Sequence, residues 1–295
     1  MSKIKSSNFF IVNGINIVAF ALLIIGLSIA ITGHIYEHGA FNLQFFISDF
    51  YSNFGTEFIS IAITVLILDK LSQQRQIKIE EERLKKELLN RVRSQVNDQA
   101  IFALEQLALM GLLFNGELED ADFSHANLHQ AHFISNYNPE GAELKGANFR
   151  SARLTEAWFY NADLENASMR HAKLQKSHLF NTNLRKAGLQ GAHFEGAYFF
   201  GADLSDATAD NIHFEDANIW ETNLFNTNIT DEMLMKAKRL RGSIMPDGNR
   251  YNGKFNLVGD LEDAQIDGID VGNPIAMAAW YVVSDQSYQD GQNNI

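Results

Sequence analysis

The chain has 295 residues, 36 Asp+Glu against 24 Lys+Arg, a formal net charge of −12 and no cysteine. Without cysteine there are no disulfides, Cys-zinc sites, thiol nucleophiles or iron–sulfur clusters, and the acidic balance argues against phosphate-directed nucleic-acid binding, which needs a basic face. A hydrophobic content of 46% with only three prolines excludes wholesale disorder and a Pro-rich linker.

Charge divides by region. Residues 1–115 carry 10 basic and 10 acidic side chains, residues 116–229 carry 8 and 16, and residues 230–295 carry 6 and 10. Residues 9–32 contain no charged side chain. At 1.5 Å per residue that is enough for a transmembrane helix, which needs about 20 apolar residues. The stretch is longer than the apolar part of a signal peptide, so a retained anchor is expected. A second apolar run, 58–68, reaches spanning length only when extended back to 50. That extension includes Glu57, about 16 Å from the inner edge and so near the midplane of the bilayer. An ionisable group there is a site hypothesis, with Asn13 and Asn16 as polar partners. The competing reading lets Lys70 snorkel and leaves Glu57 near the outer interface. The loop 33–49 has no Lys or Arg, whereas Lys3, Lys5, Lys70, Arg75 and Lys78 flank the spans. The positive-inside rule then places both termini in the cytoplasm. His34, Glu37 and His38 have a spacing that could suit a metal, but a solvated loop is the simpler reading.

Residues 72–97 are densely charged helix formers, with Glu81/Lys85 and Glu82/Lys86 at i, i+4. Leu84, Leu88, Val92 and Val96 form an apolar line that could support self-association, without a sustained heptad. A further helix over 99–113 would turn Ala103, Leu104, Leu107, Ala108 and Met110 onto the open end of the next region.

From Gly116 a small residue recurs every five positions, with a large apolar residue two places later, as in Ala121-Asp-Phe123 and Ala162-Asp-Leu164. After an irregular segment around 136–139 the count runs unbroken from Leu144 to Ile229. Period five fits neither an α-helix nor a flat strand. It fits a four-sided coil in which every twentieth residue stacks. Leu144, Leu164, Leu184, Leu204 and Leu224 form one such column, and Phe159, Leu179, Phe199 and Ile219 another. Columns of like residues suit a solenoid interior, where each repeat contacts its neighbours. Ala209 and Ile212 break the pattern within one coil, as a local exchange of volume.

These residues resemble the pentapeptide-repeat family, whose unit is A(D/N)LXX. The resemblance implies a right-handed quadrilateral β-helix over 116–229. A narrower resemblance, to bacterial pentapeptide-repeat proteins with two N-terminal transmembrane helices, rests on Phe50-Tyr51, Asn53-Phe-Gly55-Thr56-Glu57, Leu240-Arg-Gly-Ser and Trp280-Tyr281. It implies a multi-pass protein of the bacterial inner membrane with a cytoplasmic solenoid. The expected fold is thus a membrane-anchored β-solenoid in four parts. These are a two-helix transmembrane hairpin (1–69), juxtamembrane helices (70–115), the pentapeptide-repeat β-helix (116–229), and a capping helix with a C-terminal extension (230–295). The capping helix is expected over 230–241. Asp231 and Glu232 would lie at its positive end, Lys236, Lys238, Arg239 and Arg241 near its negative end, and Gly242 after it. A short helix should begin at Asn273-Pro274.

The repeat also orders the surface. Tyr160, Phe180, Phe200 and Trp220 fall on one outward column, and Trp158, His178, Tyr198 and Asn218 on its neighbour. The six aromatics of this band (Trp158, Tyr160, Phe180, Tyr198, Phe200, Trp220) form a candidate interaction face larger than the ~300–600 Å² patch of a typical soluble monomer. Its cover would be the chain's own tail, through Phe255, Trp280 or Tyr281, a second copy of the chain, or another protein. Seven acids and no Lys or Arg lie between Lys186 and Ile229.

Catalytic signals are missing. No Gly-rich loop joins a strand to a helix, and neither GxSxG nor HExxH occurs. His193 and His213 stack at the 20-residue spacing, but two histidines on an open face make a poor metal site without a carboxylate beside them. No enzyme activity, metal, cofactor or nucleic-acid partner is expected. The partners are a lipid bilayer and an unidentified protein, with self-association open. The leading expectation is a membrane-anchored interaction scaffold. A pore or transport accessory built on Glu57 is the alternative. A third reading follows from the quinolone-resistance relatives, an acidic DNA mimic acting on a protein such as gyrase.

Overall fold

The computed structural model describes residues 28, 31–32, 35–37, 39–134 and 141–293, with the side chains of 49–60 and 62 outside the description. The chain divides into two compact units, Met1–Glu80 and Glu81–Ile295.

The first unit is dominated by α1, Leu43–Val92, a helix of 50 residues whose C-terminal turns belong to the second unit. Among the described residues no helix is long and apolar enough to cross a membrane. The expected transmembrane hairpin is therefore without support in the structure. Its first span, 9–32, lies almost wholly outside the described residues, as do Asn13 and Asn16. Its second span, 50–68, falls on α1, where the backbone of Glu57 is helical and its side chain lies outside the description. Residues 72–92 of the juxtamembrane segment continue α1 without a break, as a helix running on from the second apolar run.

The apolar line on that continuation splits. Leu88 and Val92 are buried in the hydrophobic core, while Leu84 and Val96 are exposed. Lys85 pairs with Glu117, and Arg93 with Asp122 at 3.1 Å. The Asn127 backbone N–H donates to the Ser94 carbonyl at 3.0 Å. These bonds join the end of α1 to the first coil. The next helix, α2 (Asn97–Leu109), buries Ala100, Ala103, Leu104 and Leu107 against the core and leaves Met110 exposed. An α-helix closes that end of the stack because its own backbone is satisfied and it can present an apolar stripe to the last open layer.

The repeat region is a stack of four-sided coils joined by single-residue parallel bridges. One edge runs Glu143, Asp163, Asn183, Asp203, Asn223, and another Trp158, His178, Tyr198, Asn218, each step being 20 residues. Backbone bonds follow: Leu164 N–H donates to the Asn183 carbonyl at 2.8 Å, and Asn183 N–H to Ala162 at 2.9 Å. The first coil is offset by 26 residues (Asp122 to Asn148, His132 to Trp158), with Ile134 and Gly141 bridged antiparallel around the irregular segment. Both the small and the large position of each unit point inward: Ala147, Phe149, Ala152 and Leu154 are fully buried. Interior rings stack between coils, Phe133 on Phe159 at 4.4 Å and Phe123 on Phe149 at 4.9 Å.

Where Thr replaces the small Ala, its hydroxyl is satisfied within the wall. Thr182 Oγ1 donates to the Phe159 carbonyl at 2.7 Å, and Thr222 Oγ1 to Phe199 at 3.0 Å. Turns between sides put the residue before the small position in the left-handed region, as at Asp120, Ser151 and Lys176. None of these turn residues is β-branched, as expected for a conformation that penalises a branched Cβ. Gly141 has a different cause: a Cβ there would stand 2.2 Å from the backbone N of Ala162.

The expected capping helix over 230–241 is not formed. Helix α3 spans only Asp231–Leu234. The solenoid resumes, with Arg239 bridged to Asn218 and Ile244 to Asn223, each 21 residues on. The extra residue absorbs the single helical turn, and Leu240 takes an interior place at 0% exposure. Favourable end charges on 230–241 lose to the ladder bonds and the core site. The actual cap is α4 (Val258–Ile266), α5 (Pro274–Tyr281) and α6 (Asp285–Asn293). Asn273 caps α5 by accepting from Ile275 N and Ala276 N, with Pro274 at its first turn, where proline suits a helix start.

Candidate interaction face

The outward columns form the band expected from the repeat. Each side of a coil is an extended pair of residues flanking the inward centre, so residues before and after the centre stand side by side on the outer wall. Trp158 stacks on His178 at 4.3 Å, and His178 on Tyr198 at 5.1 Å. Tyr160 stacks on Phe180 at 4.7 Å with planes 5° apart. Phe180 meets Phe200 at 6.4 Å, and Phe200 meets Trp220 edge-on at 6.0 Å. Within a coil Trp158 lies 5.6 Å from Tyr160. His132 extends the band one coil earlier, 5.6 Å from Trp158. The 26-residue offset hid it from twenty-residue arithmetic.

Stacking changes what the band offers. Rings piled along the solenoid axis spend their faces on one another and present edges outward. Tyr198, Phe200 and Trp220 are therefore only 36–37% exposed, and Trp158, Tyr160 and Phe180 less. The open apolar area is smaller than six free aromatics would give. Burial holds the His178 imidazole below its ordinary pKa, against the pull of Glu156, so it is neutral at pH 7. Burial also pushes the Tyr160 phenol up.

The C-terminal segment walls one side of the band without capping it. A groove of about 1200 Å³ runs between Trp158, His178 and Tyr198 on one flank and Phe255, Val258 and Glu262 on the other. Trp280 and Tyr281 pack elsewhere: Tyr281 lies edge-on to Tyr251 at 5.5 Å, and Arg241 sits 4.2 Å over Trp280. Among the described residues the ring contacts of the band and those of the tail are separate sets. The band's end is closed by Arg239, 5.5 Å from the Trp220 ring centre. It donates to Asn218 Oδ1 at 2.9 Å and forks onto Asp263 at 2.6 and 2.9 Å.

The described residues also hold a His/Glu cluster, distinct from this band. His193 and His213 stack at 4.4 Å with planes 1° apart. Beside them, on the following outward position, stand Glu195 and Glu215. The repeated His-Phe-Glu at 193–195 and 213–215 carries this signal, since residues two apart on a strand share a face. Attention to the twenty-residue column alone missed the carboxylates.

The core with its parallel ladders, turns every five residues and closed ends defines a β-solenoid repeat protein. The family model described as "Pentapeptide repeats" matches in eight copies within residues 142–231, and such repeats imply a right-handed quadrilateral β-helix. The chain belongs to the pentapeptide-repeat family. Among solved structures it is similar to a pentapeptide repeat protein (Rfr23) from the cyanobacterium Cyanothece 51142, at 23% identity over 38% of this chain and 65% of that one (TM-score 0.24). The chain thus spans just under two thirds of that protein. It is also similar to a pentapeptide repeat protein of the Arabidopsis thaliana thylakoid lumen (27%, 47% and 86%, TM-score 0.26). A third is a pentapeptide repeat protein from Nostoc PCC 7120 (31%, 35% and 84%, TM-score 0.19). No curated protein matches. Proteins of this family are generally structural or interaction proteins without enzymatic activity.

Proposed function

We propose that the chain is a non-catalytic interaction scaffold, anchored in the bacterial inner membrane with its solenoid in the cytoplasm. The single observation that carries the scaffold reading is the aromatic–histidine band. Half-exposed rings lie on a wall whose backbone is already laddered, beside a groove open along its length. Asp163 and Asp203 of the repeat stand on an outer ladder, while Glu156 and Asp216 line the groove.

The anchoring part of the proposal rests on the sequence, although no described helix is long and apolar enough to cross a membrane. Ile61, Ile63, Val65, Leu66, Ile67, Leu68 and Leu71 are 46–68% exposed. At 100° per residue these positions go round the whole helix, and a helix apolar on every side is one that sits in lipid or a protein core. The uncharged stretch 9–32 and the basic residues that follow 68 add the topology.

In-cell photo-crosslinking from position 200, followed by mass spectrometry, tests the face. A crosslink to a different protein is expected. A crosslink confined to residues 243–295 of the same chain would make the band structural and overturn the scaffold reading. A crosslink to a second copy would replace it with self-assembly. Retention of the chain in carbonate-washed membranes is the expected result for an anchor, and release into the wash would remove that part.

A further inference from the structure

We propose that His193, Glu195, His213 and Glu215 form a binding site for one divalent transition ion of the Zn²⁺ class on the outer wall of the solenoid. His193 Nδ1 and Glu195 Oε1 stand 2.9 Å apart. Two ligands of one such ion, each about 2.0–2.2 Å from it, are separated by about 2.8–3.1 Å at a right angle and by about 3.3–3.6 Å at the tetrahedral angle. That contact therefore has the span of one short edge of a coordination shell. Ligand atoms of His193, Glu195 and His213 all lie within 4.8 Å of one another. His213 Nδ1 is 3.8 Å from Glu215 Oε2, so the second coil repeats the pair.

The carboxylates are available to an ion. Glu195 Oε2 and Glu215 Oε2 are shielded from solvent and accept no hydrogen bond. Two imidazoles with two carboxylates select zinc, cobalt, nickel or copper over magnesium and calcium, which prefer all-oxygen shells. The side chains are 34–42% exposed. They can therefore turn to bring both rings, now parallel, onto one ion. The wall beneath is rigid: Phe194 and Phe214, the central residues of the two His-Phe-Glu triplets, are fully buried. Lys236, 3.3 Å from Glu215 Oε1, is the internal competitor for the fourth ligand.

The test is isothermal titration of the full-length chain in detergent with ZnCl₂, together with the visible absorption of added Co²⁺ as a readout of coordination. One ion per chain is expected, with affinity falling at least tenfold in His213→Ala and in Glu195→Gln. His125→Ala, at a corner of the first coil, should leave it unchanged. Lys236→Met should tighten binding by releasing Glu215. Zinc uptake that survives the His193→Ala/His213→Ala double substitution, or no stoichiometric uptake at all, would overturn the site. Circular dichroism of each variant separates lost ligands from lost fold.

Discussion

The repeat body and the C-terminal cap solve the same burial problem in opposite ways. In the body, one rule is applied many times: a small residue, a large apolar residue and a turn, with interior polarity limited to a few hydroxyls, those of Thr182 and Thr222 bonded to the wall. In the cap the rule fails, and the interior contains a carboxylate. Asp260 is fully buried and accepts from the backbone N–H groups of Leu240 and Arg241 at 3.2–3.3 Å. Tyr251 and Tyr281 are buried near it, and burial pushes both phenols well up. A periodic core tolerates no polar keystone because each layer must accept the next. A terminal layer accepts none, so it is free to use one.

Three substitutions break or sharpen that contrast. The largest effect is expected from Phe159→Ala, which removes a fully buried ring stacked on Phe133 and opens a cavity between layers. A loss of about 3–5 kcal/mol is expected by chemical denaturation. Because each layer contacts its neighbours, hydrogen exchange should accelerate first in the adjoining coils, and last in the cap.

A smaller effect concerns the keystone. Burial, partly offset by the two backbone N–H groups, raises Asp260 from the ordinary carboxylate range to about 7. The folded value lies above the unfolded one, so this group's contribution is full below about pH 4 and is lost as pH rises through about 7. Stability should fall on the order of 1 kcal/mol between pH 6 and pH 8. Asp260→Asn should abolish that slope, and an unchanged slope in the variant would assign it elsewhere.

The smallest effect is a gain. Ser177 is fully buried at a small-residue position, and its hydroxyl has no partner, unlike Thr182 one unit later. Ser177→Ala should raise stability by about 0.5–1 kcal/mol in urea melts, since it removes an unsatisfied group without creating space.

Legibility followed periodicity. The interior columns from Leu144 to Ile219, and the outward band from Trp158 to Trp220, could be read residue by residue because each position is set by its distance from the one twenty before. His132 was unreadable because six residues around the irregular segment shift the register. The helix expected over 230–241 looked sound from its end charges. What displaced it was the core place open to Leu240 and the rungs offered by Asn218 and Asn223, which are properties of the stack and not of the segment. In the aromatic band the rings stack on one another, which no count of residues reveals, and Tyr198, Phe200 and Trp220 are left only 36–37% exposed. Glu195 and Glu215 needed only the two-residue alternation of a strand.

The position of α4 has a consequence for the protein's behaviour in a crowded cell. A solenoid of parallel rungs ends in donors and acceptors that point along the axis, which is the geometry from which fibrils lengthen. Here the Leu240 and Arg241 donors are taken by Asp260, and Gly259 N–H occupies the Lys238 carbonyl at 3.1 Å. A Cβ at Gly259 would stand 2.6 Å from that carbonyl oxygen, so only glycine allows the approach. An incoming chain would therefore find these two donors and this acceptor already occupied by Asp260 and Gly259.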